Sequence, residues 1–318
     1  MKFATFVHEG KRQSGVVADD HMHPFEYSVD LLDLIVEGEE SLRTAGERAL
    51  TGALTGALTV PLADIRLLPP LQPPTVRDYM TFEGHVVGVA RGYGDTVPEE
   101  WYAAPAFYFT NPYAMIGAHD DVPVPPGCLR FDFELEVAAV IGKAGRDLTP
   151  EQAREHIIGY TILNDWSARD LQGREMKVKL GPAKGKDTAT TLGPWLVTAD
   201  ELEPRRNPEG FLDLALTVQV NGETVGQDRL ANMAWTFEEM AAYASRGTWI
   251  RPGDVLGSGT CGNGGCLAEL WGRNGVFEPP PLAVGDTVTV TVEGIGTISN
   301  TVIDGVPPVP VPTARRRP

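Results

Sequence analysis

The twelve residues from Phe131 to Gly142, FDFELEVAAVIG, constrain this chain more than any other stretch. Their second half is an unbroken apolar run, which belongs in the interior of a sheet. In the first half Asp132, Glu134 and Glu136 alternate with apolar residues, so on a strand all three carboxylates share one face. Like charges side by side repel unless water or a cation lies over them, and hard cations such as Mg²⁺ and Ca²⁺ take oxygen ligands of this kind. Taken alone, the stretch is open to two readings: a solvated acidic face on an antiparallel sheet, or a cation site carried on a half-buried strand.

Glycine and proline, 35 and 26 of 318 residues, make turns frequent and long helices few. Residues 1–18 read as a hairpin turning at Glu9-Gly10, and helical spacing follows from Ser28 to Val36, behind a Ser28 cap, and from Ser41 to Leu58. Pro-rich Leu68 to Pro74 reads as an extended linker. The expected layout is a small N-terminal α/β unit over 1–68, a main domain over 69–305 and a disordered Pro/Arg tail over 306–318. Within the main domain the spacing predicts a helix opening at Pro150, strands at Ile157 to Asp165 and Leu267 to Trp271, a hairpin at Asn221-Gly222 and an amphipathic helix from Trp235 to Ser245. The fold class is α+β, mainly β.

A net charge of −16 argues against nucleic acid or an anionic membrane as partner and suits cation binding. No apolar run approaches the roughly 18 residues that span a bilayer. Three cysteines, an odd number without a signal-peptide pattern, point to a reducing cytoplasm. Cys261 and Cys266 lack a second Cys/His pair at zinc spacing and read as small packing residues. The Gly- and Lys-rich loop from Leu180 to Leu192 lacks the spacing of a phosphate-binding loop.

Several short motifs then follow in a recognisable order. They are Asp78 and His85, Glu134-x-Glu136, Asn164-Asp165-x-Ser167-Ala168-Arg169-Asp170-x-Gln172, Gly185-Lys186, Gly257-x-Gly259-Thr260 and Gly294-Ile295-Gly296-Thr297-Ile298-x-Asn300. Together, from about residue 75 to 303, they resemble the fumarylacetoacetate hydrolase family. That resemblance implies a mixed β-sandwich roll and a divalent cation, Mg²⁺ or else Ca²⁺ or Mn²⁺, held by Glu134, Glu136, Asp165 and Asp78. Asp132 is then a supporting or surface acid. By the same resemblance His85, oriented by Glu269, is the base that activates water, while Lys186, Arg169 and Gln172 stabilise the oxyanion, and Tyr108 and Thr260 contact substrate.

The activity implied is hydrolysis of a carbon–carbon bond in a fumarylacetoacetate- or acylpyruvate-like 1,3-dicarbonyl acid, in aromatic catabolism, with the enolate held on the metal. A decarboxylase or tautomerase/isomerase of a 2-oxo diacid at the same metal site is the alternative, and a non-catalytic Ca²⁺-binding β-protein is a third reading. The partner implied is a small oxo acid, and the assembly a homodimer. Two departures bear on how the substrate carboxylate is held. Gly94 stands where the resemblance implies a second arginine, with Arg91 three residues earlier, and Thr110 stands where many members carry lysine. Lys184 competes with Lys186, and the Leu-Gly-Pro to Pro-Trp spacing favours Lys186.

Overall fold

The structure, a computed structural model, describes residues 1–26, 28–54 and 56–316, apart from the side chain of Tyr93. It is mixed, with strand at 32% and helix at 28%. Its spine is the fully buried strand Leu135–Ile141, which pairs antiparallel with Ile157–Asp165 on one side and Val255–Gly257 on the other. Alternation then divides the interior. Leu135, Val137, Ala139 and Ile141 enter one core cluster, Ala138 and Val140 another on the opposite face.

From Leu135–Ile141 the sheet runs through Ile157–Asp165 and Thr190–Thr198 to Lys2–His8, Lys11–Ala18 and His21–Pro24. In the other direction it runs through Val255–Gly257 and Val76–Tyr79 to Phe107–Thr110. The described strands of residues 1–68 therefore extend the main sheet: Lys2 pairs with Val197 and Phe3 with Leu196, and the helices Leu31–Glu37 and Glu39–Leu54 pack on that extension. A second sheet holds Glu223–Arg229, Ala215–Val220, Thr287–Val292, Gly296–Ile303 and Val122–Pro123. Its first hairpin turns at Asn221 and Gly222, both with positive φ, as an Asn-Gly hairpin turn requires.

Two local expectations are corrected. The acidic stretch is not one strand, because pairing is interrupted at Phe133 and Glu134, between Phe131–Asp132 and Leu135–Ile141. Leu267 to Trp271 lies in a helix, Leu267–Asn274, not a strand. The Cys266 sulfur accepts the Glu269 N–H at its N-terminus, and Gly275 closes it in the left-handed conformation. The expected Ser41 to Leu58 helix includes Thr55, and the 306–318 tail includes Arg317 and Pro318; these three lie outside the described residues. Residues 304–316 carry no helix or strand and are exposed. Among the described residues no helix is long and apolar enough to cross a membrane.

Candidate metal centre and active site

Sheet register gathers the acidic residues at the edge of the core. Asp78 is the parallel partner of Gly257 and the antiparallel partner of Tyr108. Gly257 also pairs with Ala138, two residues along from Glu136. Asp165 ends its strand, and the side-chain oxygen of neighbouring Asn164 accepts the Glu134 N–H at 2.8 Å, fixing the irregular backbone at Glu134. One oxygen from each of Asp78, Glu134 and Asp165 lies within 4.8 Å of the others. Glu136 flanks that triplet: its carboxyl lies beside that of Asp78 and accepts the Gly259 N–H at 3.1 Å.

Five buried carboxylates, those of Asp78, Asp132, Glu134, Glu136 and Asp165, share two paired cations among the described residues, Arg169 and Lys186. Arg169 binds Asp132 and Glu134, each at 2.7 Å, and accepts orientation from Gln172, whose Oε1 receives its Nη1–H at 3.1 Å. Lys186 bridges Glu134 and Asp165, lying 2.8 Å from the latter. Burial alone would raise the Glu134 carboxyl, but the Lys186 and Arg169 charges overcome it and hold it down at about 2. Asp78 is pushed up to about 8, first by burial and then by the Asp165 charge. Glu136 goes well up for the same reason, with Asp78 as its main charged neighbour.

Oxygens Asp78 Oδ1, Glu136 Oε1 and Asp165 Oδ1 are buried without a hydrogen-bond partner among the described residues. An unpartnered buried carboxylate oxygen is costly, and an all-oxygen, acid-rich donor set is what a hard divalent cation takes. The residues fit such a cation.

His85 reaches this centre from the helix Glu83–Tyr93, which crosses Leu267–Asn274 at glycines. A Cβ on Gly88 would overlap Glu269 Cγ, and one on Gly92 would lie 3.1 Å from the Gly272 Cα, so the close approach depends on bare backbone. It brings His85 Nδ1 to 3.8 Å from Glu269 Oε2, and Arg273, one turn on, holds Glu269 at 2.5 Å. Cys266 Sγ is also 3.8 Å from His85 Nδ1. Burial, followed by the nearby Asp132 charge, raises this thiol well above its ordinary range, so it stays protonated.

These groups open onto one cavity of about 810 Å³, which Asp78, His85, Tyr108, Glu134, Glu136, Arg169, Gln172, Lys186 and Thr260 all line. The Tyr108 hydroxyl donates to Asp165. Lys184 is exposed and paired with Asp187, whereas Lys186 is buried in the centre. Thr110 donates to the Lys186 carbonyl at 3.2 Å, bracing that loop. Arg91 lines the cavity. Asp132, expected as a supporting or surface acid, is completely buried and so is not at the surface. It binds Arg169 and accepts the N–H groups of Leu267 and Ala268 at 2.8 and 3.0 Å. Sequence reasoning passed over Arg130, which lines the cavity, and Arg273; only the i,i+4 spacing from Glu269 could have flagged Arg273.

Residues 75–303 match the family model described as fumarylacetoacetate (FAA) hydrolase C-terminal. The chain belongs to the fumarylacetoacetate hydrolase family. This is an enzyme family, with hydrolases and tautomerases among the named relatives. Protein Rv2993c of Mycobacterium tuberculosis is 35% identical over 273 residues, 84% of this chain and 90% of that one. The human mitochondrial oxaloacetate tautomerase FAHD2A is 31% identical over 278 residues, 86% of this chain and 79% of its own. Among solved structures, fumarylacetoacetate hydrolase from psychrophilic Exiguobacterium antarcticum superposes with a TM-score of 0.73 at 29% identity, over 96% of this chain and 100% of that one. The fumarylacetoacetate hydrolase fold places Asp78, Glu134, Lys186 and His85 around one cavity in this chain, with Asp165 beside the first two.

Proposed function

We propose that this chain is a divalent-cation-dependent hydrolase that cleaves a carbon–carbon bond in a 1,3-dicarbonyl acid of the acylpyruvate type. The observation that carries the reading is the convergence on one cavity of two sets of residues. One is Asp78 and Glu134, with Asp165 beside them, together with Lys186 and Arg169; the other is His85, backed by Glu269. When bound, the cation, for which Mg²⁺ is our first choice ahead of Ca²⁺ or Mn²⁺, supplies Lewis-acid stabilisation of negative charge on oxygen.

With Nδ1 turned toward Glu269, His85 keeps Nε2 to take a proton from water. Glu269, anchored by Arg273, stabilises the imidazolium that results. Water oxygen bonds to the carbonyl carbon remote from the carboxylate, and Lys186 and Arg169 offer N–H donors to the oxyanion formed there. The adjacent C–C bond then breaks, its electron pair moving to the 2-oxo-acid fragment, which takes a proton back from His85. One carboxylic acid and one 2-oxo acid leave. Incubating the protein with Mg²⁺ and acetylpyruvate or benzoylpyruvate in ¹⁸O-water tests this: label in the carboxylate of the released acetate or benzoate is expected, and both substrates left intact sink the reading.

A second reading is tautomerisation of a 2-oxo diacid at the same site. It is favoured by the 3.8 Å gap between His85 and Glu269, since proton relocation needs no activated water. Turnover of oxaloacetate enol to ketone without ¹⁸O uptake, alongside inert acylpyruvates, would select it. A homodimer in the cytoplasm completes the proposal, checked by light scattering and cell fractionation.

A further inference from the structure

The cavity extends well beyond the reaction centre. A four-carbon oxo diacid has nine heavy atoms, and at a water-like share of roughly 30 Å³ each it fills about a third of the available 810 Å³. The remainder is walled by Met80, Val89, Phe107, Trp271, Val276 and Phe277. Trp271 and Phe277 meet edge to face, centroids 5.2 Å apart, and Arg130 lies over the Phe277 ring at 4.3 Å, so these side chains brace one another.

It also has little to offer a second carboxylate. The Trp271 indole N–H already donates to the Pro279 carbonyl at 2.6 Å, and the guanidiniums that line the cavity beyond Arg169, those of Arg91 and Arg130, belong to exposed residues. An anionic tail lying along the wall would lose water with no donor from the wall's own side chains to replace it.

Resting on the hydrolase reading above, we infer that the substrate is a 2,4-dioxo acid whose acyl end is large and apolar, an aryl ring or an alkyl chain of about five carbons or more. The dioxo-acid head lies at the acidic triplet and the tail runs along Trp271 and Phe277. Each methylene added to the acyl end raises kcat/KM by up to about fourfold until the wall is covered.

The test is a kcat/KM series with Mg²⁺ on acetyl-, hexanoyl-, benzoyl- and fumarylpyruvate. Hexanoyl- and benzoylpyruvate are expected to exceed both others by at least about tenfold. Phe277→Ala, at a residue 51% exposed and so tolerant of truncation, is expected to lower the benzoyl-to-acetyl ratio severalfold, with Phe277→Leu restoring part of it. Acetyl- or fumarylpyruvate as the best substrate, or a ratio that neither variant moves, overturns the inference. If no acylpyruvate turns over, the hydrolase reading is what has failed. Calorimetric binding with Mg²⁺ then decides the tail separately: 2-oxo-4-phenylbutanoate binding more tightly than oxaloacetate supports it, and equal or weaker binding overturns it.

Discussion

His85 Nδ1 lies 3.8 Å from Glu269 Oε2, across a helix contact closed on glycine. The gap is longer than a hydrogen bond, and catalytic pairs of this kind tighten when substrate binds. Glu269→Gln keeps the shape and removes the charge that holds the imidazolium. Steady-state kinetics should show kcat lowered by about 10²–10⁴ with KM little changed. The double variant with His85→Ala should be no worse than His85→Ala alone, because the two act as a unit. Additive losses would separate Glu269 from the base.

Lys186 shares its charge between Glu134 and Asp165. Lys186→Met leaves Asp165 without its cation and Glu134 with Arg169 alone, and removing one partner of a buried pair costs about 3–5 kcal/mol. The cation-free variant should melt well below the parent and recover most of the difference on adding Mg²⁺. Turnover should stay about 10²–10³ lower even at saturating cation, as an oxyanion donor has gone. Recovered turnover with recovered stability would make Lys186 a structural counter-ion only.

The acidic cluster sets a pH dependence whose sign follows from the direction of each shift. Asp78 is pushed up to about 8 by burial and then Asp165, and Glu136 and Asp165 move the same way, burial leading. Carboxyls raised above their unfolded values favour the fold below that value, 3.8 for Asp, and lose the contribution as pH rises through the native one. Glu134, lowered to about 2, contributes above its ordinary 4.5 and loses that as pH falls toward about 2. Cation-free protein should therefore lose stability between about pH 5 and pH 8, and a cation should restore it. The Mg²⁺-induced rise in Tm, worth about 2.7 kcal/mol at a hundredfold excess over Kd, should be larger at pH 8 than at pH 6. Equal rises at both pH values would place the cation elsewhere.

What the sequence made legible was what short-range pattern encodes. Glu134 and Glu136 stood out because two-residue spacing runs into an apolar strand, and Asn221-Gly222 because its turn needs positive φ at both residues. The strand expected at Leu267 to Trp271 is a helix, because five residues fit either period. The decisive contacts come from Asp132, whose carboxylate receives the Leu267 and Ala268 N–H groups from 135 and 136 residues away and favours a helix N-terminus there. Long separation in sequence also hid the burial of Asp132 and the place of Cys266 against His85, 181 residues away. The N-terminal strands looked separate because their partner, Thr190–Thr198, lies far along the chain.

Gly257 offers the sharpest separation of cation binding from folding. It sits between the strands that carry Asp78 and Glu136, and a Cβ there would lie 2.7 Å from Asp78 Oδ1 and 3.0 Å from Glu136 Oε2. Both oxygens belong to short, fully buried side chains, so they must move apart to admit a methyl group. The backbone at Gly257 is ordinary strand, so alanine brings no backbone strain of its own. Gly257→Ala should therefore fold, with cation-free melting within a few degrees of the parent. Its Mg²⁺ affinity by calorimetry should fall about tenfold or more, since ligand placement sets affinity at a rigid site. Unchanged affinity with an intact fold would mean that Asp78 and Glu136 do not hold the cation, leaving Glu134 and Asp165 to do so.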